Sequence, residues 1–151
     1  MNRFALAIFA VATCAVTSVC AHDLNDEIAQ FNQMYATKNL ESNEAKAAKV
    51  LFERSQGLYL QAEEKILLKV RSLTNNAFKE LGEQPAFLTS ELKRLDAAIA
   101  AAKTTDPAKL AKAKQFAALA KAEKAAYDTV DKDSSDDMKQ ALKLLASAPS
   151  K

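Results

Sequence analysis

SNEAKAAKVLFERSQGLYLQAEEKILLKVRSLTNNAFKEL runs from Ser42 to Leu81, forty residues with no proline and a single glycine. From Leu51 its apolar residues recur at Leu58/Tyr59, Ala62, Ile66, Val70, Leu73, Ala77/Phe78 and Leu81, in steps of three and four that set them on one helix face. A stripe of that length has to be covered by other helices, so the chain is expected to be all-α, a bundle of four to five helices organised on this long one. Gly57 costs roughly 1 kcal/mol relative to alanine in a helix interior, and a continuous or gently kinked helix is expected there. A strict seven-residue register counted from Leu51 would put Lys65, Lys69, Ser72 and Asn76 into a seam, so the stripe reads as a globular helix rather than a coiled coil.

Working outward, Asp23 can cap a short first helix whose Leu24, Ile28, Phe31 and Tyr35 share one face. Thr37-Lys38-Asn39 breaks that pattern, and Ser42 or Asn43 caps the long helix. Gly82 followed by Pro85 ends it. Thr89 or Ser90 then caps a third helix that buries Leu92, Leu95, Ala98/Ile99 and Ala102 and stops at Thr104-Thr105. Asp106-Pro107 opens a fourth, a cap residue followed by proline at the first helical position, with Ala113, Phe116, Ala120, Tyr127 and Val130 facing inward. The acidic stretch Asp128 to Asp137 reads as the last linker, with Ser134 or Ser135 capping a final helix that carries Met138, Ala141, Leu142 and Leu145. Residues Ser147 to Lys151 are expected to be a disordered tail. No segment alternates with period two over a useful length, so no sheet is expected.

Residues 1–21 have the architecture of a secretory leader: Arg3, an apolar run from Phe4 to Val16, and small residues at Val19-Cys20-Ala21. Cleavage there would start the mature protein at His22, a secreted, extracellular chain with one helical domain over 22–146 and no membrane span, since the apolar run is too short for one. Both cysteines, Cys14 and Cys20, would leave with the leader, so helix packing alone would hold the fold. The mature balance would be 20 basic against 19 acidic side chains, which gives no electrostatic case for nucleic acid. Thirty-one alanines and no tryptophan imply a thin core with closely spaced helices, and the caps and helical stripes together lead to the expectation of a monomer.

Chemistry-bearing residues are few. His22 is the only histidine, and transition-metal sites need several imidazole or thiolate ligands. Asp131, Asp133, Ser135 and Asp137 alternate as the first oxygens of a calcium loop do, but the sixth position is Asp136 where glycine is required and the twelfth is Leu142 where glutamate is required. Weak Ca²⁺ or Mg²⁺ binding is the most this run implies, against a bland reading as a loop leading into a helix N-terminus. Lysines 103, 109, 112, 114, 121 and 124 spread around the fourth helix and read as a solvated face rather than a membrane stripe. Glu63-Glu64 is adjacent rather than facing, so no acid/base pair suggests an enzyme and no cofactor is implied.

Ser55-Gln56-Gly57-Leu58-Tyr59-Leu60-Gln61-Ala62-Glu63, with Val70, Leu73 and Ala77-Phe78, resembles the central helices of the nematode fatty-acid- and retinol-binding proteins. That resemblance implies a carrier of a fatty acid, retinoid or similar apolar ligand, lined by Leu58, Tyr59, Ala62, Ile66, Val70 and Phe78. Periodicity alone reads the same six residues as core. Phe31-x-x-Met34, Asn39-Leu40, Glu44, Asp133-Ser134-Ser135 and Ala141-Leu142 are similar to the nematode SXP/RAL secreted antigens. That second resemblance implies a non-enzymatic interaction protein without an apolar ligand, with Asp131, Asp133 and Asp137 as weak divalent-cation ligands.

Overall fold

Three helix ends explain how the chain is divided. A computed structural model describes residues 24–84, 91–103 and 105–151. The leader expected over residues 1–21, Asp23 and the cap candidates Thr89 and Ser90 lie outside them. Helix α1 spans Asn25–Thr37, and a short turn leads to Ser42, whose Oγ accepts from the Ala45 amide at 3.2 Å and caps α2, Asn43–Gln61. A π-helical segment, Ala62–Leu67, carries the chain without interruption into α3, Leu68–Glu80. There Gly82 takes φ +73°, a left-handed conformation open to glycine at no steric cost. The Glu83 amide donates to Phe78 O at 3.0 Å and the Gly82 amide to Lys79 O at 3.1 Å, satisfying the last carbonyls in a Schellman arrangement.

Helix α4 is Glu91–Ala101, and α5 runs from Pro107 to Ser147. Asp106 caps α5 as its sequence signature predicts, its Oδ1 accepting from the Ala108 and Lys109 amides at 3.0 and 3.2 Å. The 41 residues of α5 make a rod about 60 Å long. It lies antiparallel to the composite rod of α2, the π segment and α3. The pairs Ser55–Ser134 and Lys69–Glu123 mark the direction.

Apolar packing divides into three clusters along this hairpin. At one end Phe31 of α1 seals Ala45 and Ala48 against Ala141, Leu145 and Ala148, with the Phe31 and Phe52 rings stacked at 4.0 Å. In the middle Ala62, Leu67 and Tyr127 meet. At the far end Ala77 and Phe78 of α3, Leu95 of α4 and Ala117 of α5 close together. Arg94 pins that corner. Its guanidinium stacks 3.9 Å from the Phe78 ring centroid and bonds Glu91, Glu83 and the Gln84 carbonyl. The described residues form no strand; Lys38 and Ser150 make one isolated bridge. No described helix is long and apolar enough to cross a membrane.

The all-α expectation holds, and four of its details change. The long helix is continuous, but its irregularity falls at Ala62–Leu67 and not at Gly57, which is exposed and crowds nothing. The fourth and fifth helices are one. Asp128 to Asp137 is helix interior, not a linker, and Ser134 is a buried packing residue, not a cap. No glycine or proline interrupts 108–147, and the acids that looked like a solvated loop are held by Lys124–Asp128 and Lys132–Asp136 pairs one turn apart and by Arg54. The tail is tied down: the Asn39 amide donates to Pro149 O at 2.8 Å, the Lys151 amide to Thr37 O at 3.1 Å, and Lys38 Nζ to Ala148 O at 2.8 Å. Finally, the two rods meet through small residues at seven-residue intervals. The register through Ala48, Ser55 and Ala62 is the one that continues to Lys69 and Asn76, and the seam leaves it at the π segment, where Val70 and Ala77 are buried instead.

Candidate functional site

The chemistry of the molecule gathers where the two rods cross between the apolar clusters. Ser55 Oγ donates to the Ser134 carbonyl at 2.7 Å, and Ser134 Oγ donates back to the Ser55 carbonyl at 2.9 Å. Both serines are fully buried. Only side chains this short let two backbones approach closely enough for the exchange, and each hydroxyl is satisfied by the other helix. One turn along, the Arg54 guanidinium grips Asp137 through two parallel bonds. The hydrogen bond to Asp137 and its charge raise Arg54 above its ordinary value, with Asp133 adding to the effect.

On the other side of the serines, Tyr127 Oη donates to Glu63 Oε1 at 2.6 Å. Burial, and then this bond to a carboxylate, push the Tyr127 phenol well above its ordinary value of 10.0. Tyr59 and Asp131 add to that push, so two tyrosines and two carboxylates share the crossing. The Ser55–Ser134, Arg54–Asp137 and Tyr127–Glu63 pairs satisfy one another across the seam. None is left as an exposed, activated base or nucleophile, and the arrangement orients helices more readily than it does chemistry.

The sequence-predicted residues are distributed differently from either expectation. Of the six apolar candidates, Ala62 and Ile66 pack with Tyr127 and Val130, while Phe78 packs in the separate cluster with Leu95 and Ala117. Val70 is buried between them along the rod, and Leu58 and Tyr59 are half-buried. They cover two clusters rather than one lining. A cleft of about 390 Å³ lies elsewhere, at the α3–α4 corner, bounded by Leu81, Glu83, Ala98, Ala101, Ala102, Lys103 and Thr105.

The acidic candidates do not converge either. Asp137 is held by Arg54, Asp133 is exposed, and Asp131 is half-buried toward the seam. Helical spacing separates positions that a calcium loop would fold around one ion. Among the described residues no group of three or more His, Cys, Asp or Glu side chains is placed to hold a metal. Periodicity places Tyr127 on the inner face, whereas Arg54 carries no signal in the sequence, Ser55 and Glu63 stand out only in the stretch that resembles a carrier helix, and Ser134 reads as a cap. Ser55 lies seven residues after Ala48 and Ser134 seven before Ala141, the spacing that brings both to the seam.

Compared with protein-family models, curated proteins and solved structures, the chain matches none.

Proposed function

We propose that this chain is a secreted, non-enzymatic interaction protein, a monomeric helical rod that presents its outer surface to a partner and does not enclose an apolar ligand along its central helix. One observation carries the reading: the residues that would line an internal ligand are used in helix packing. Ala62 and Phe78 are fully buried in different clusters, against Tyr127 in one and Leu95 in the other. Alanine and serine bring the rods into contact along the seam, whereas a small-molecule site needs several hundred Å³ of enclosed space between them. The polar crossing supports the same view, since Arg54 and Asp137, Ser55 and Ser134, and Tyr127 and Glu63 are paired within the molecule.

Titration of the protein, from His22 onward, with a fluorescent fatty acid and with retinol is the direct test. No saturable signal is expected. Saturable binding that Ala62→Leu abolishes would restore the carrier reading at the sequence-predicted site.

A second reading keeps an apolar ligand but moves it to the α3–α4 cleft, whose volume falls in the lower part of the range for small-molecule sites. Leu81, Ala98 and Ala102 supply an apolar wall and Lys103 a cation at its edge. Binding of the fluorescent fatty acid lost in Leu81→Arg, and unchanged in Ala62→Leu, would select this reading. Secretion itself is tested by expressing the full chain in eukaryotic cells and reading the N-terminus of the product in the medium, where His22 is expected.

A further inference from the structure

Along α5 every seventh residue from Ala113 faces the other rod and is buried: Ala113, Ala120, Tyr127, Ser134, Ala141 and, just past the helix end, Ala148. The composite rod keeps the same interval through Ala48, Ser55 and Ala62. Its next buried members are Val70 and Ala77, so one step, Ala62 to Val70, is eight residues. The companion series Ala45, Phe52 and Tyr59 resumes at Leu67 and Thr74 with the same one-residue excess. Both series break in one place, and that place is the π segment, Ala62–Leu67. A π turn closes i→i+5 instead of i→i+4 and so houses one residue more than an α turn.

We infer that Ala62–Leu67 holds a one-residue insertion in a seven-residue repeat, and that the wide turn is a built-in phase correction that lets α2 and α3 pack on the same face of α5. Without it, an unbroken α-helix from Ala62 would rotate α3 by about 100° and bring Lys69 and Asn76 to the seam in place of Val70 and Ala77. Lys69 instead lies outside, paired with Glu123, and Asn76 is exposed. Burying an unpaired ammonium is far costlier than widening one turn. The partner helix carries a matching feature. Tyr127 is the one large residue in its series of alanines and serine, and it packs against Ala62, Ile66 and Leu67 of the wide turn.

Deleting one residue from the turn should therefore leave an uninterrupted repeat. Lys65 is exposed and is the residue to remove. The control deletes exposed Lys139 from α5, whose repeat has no spare residue. Both deletions are made in the natural chain and with Tyr127→Ala, since the tyrosine fills the wide turn. Loss of Lys65 is expected to preserve helical circular dichroism and to keep the melting temperature within about 5 °C of its parent in at least one background. Loss of Lys139 is expected to lower it by about 10 °C or more in both. If removing Lys65 is as damaging as removing Lys139 in both backgrounds, the insertion reading is overturned.

Discussion

Tyr127 shows how one residue serves both packing and polarity at the crossing. Its ring fills the space opposite the π turn, and its hydroxyl meets Glu63. Tyr127→Phe keeps the ring and removes the bond, for an expected loss of about 1 kcal/mol at neutral pH. A pH series distinguishes the two effects. The folded protein holds this proton above the ordinary value of 10.0, first by burial and then through Glu63. The unfolded chain releases it near that value, so the folded state binds more protons there. The stabilisation is fully present below pH 10 and is lost as pH rises above it. Denaturant unfolding of the two proteins from about pH 8 to about pH 11 should show the advantage of tyrosine over phenylalanine shrinking at the alkaline end. A constant difference across that range would place the phenol in water.

At the scale of elements, the end of the chain behaves as a strap. Ser150 bridges Lys38, Pro149 receives the Asn39 amide, and the Lys38 ammonium caps the α5 C-terminus through the Ala146 and Ala148 carbonyls at 3.2 and 2.8 Å. The strap joins the α1–α2 turn to α5 beside the Phe31 cluster. Removing residues 149–151 should lower global stability by about 1 kcal/mol and speed amide exchange in α1 while leaving α3 and α4 unchanged. Equal acceleration everywhere, or none, would mean that the strap carries no local load. The tail's sequence, Ser-Ala-Pro-Ser-Lys, reads as unstructured because its partners lie more than a hundred residues away. Nothing local announces them.

The described residues form a body that is long for its mass, because the two main helices run side by side over most of their length and the short ones sit at opposite ends. A rod about 60 Å long has a radius of gyration of about 18 Å, compared with about 14 Å for a compact chain of this size. Small-angle scattering of the protein from His22 onward should return the larger value with a mass of one chain. The smaller value would mean that the hairpin folds back on itself, and a doubled mass would mean that the rods pair in solution.

Helix content and most helix ends were legible in the residues, since caps and breakers act within a few positions: Ser42, Gly82 and Asp106-Pro107 each do locally what their chemistry implies. The apolar stripe also identified the buried face of the long helix, because burial follows a 3.6-residue period wherever the partner comes from. The partner itself was not legible. Asp128 to Asp137 looks like a loop when its charges are counted alone, and becomes helix once Arg54, eighty-three residues away, binds Asp137 and two lysines pair within the helix. The candidate lining met the same limit. Periodicity says that Ala62, Val70 and Phe78 face inward, but only Tyr127 and Ala117 of α5 and Leu95 of α4 determine that the space is filled by protein. Side chains far apart in the chain meet there, and the distance between the helices depends on which pairs oppose each other.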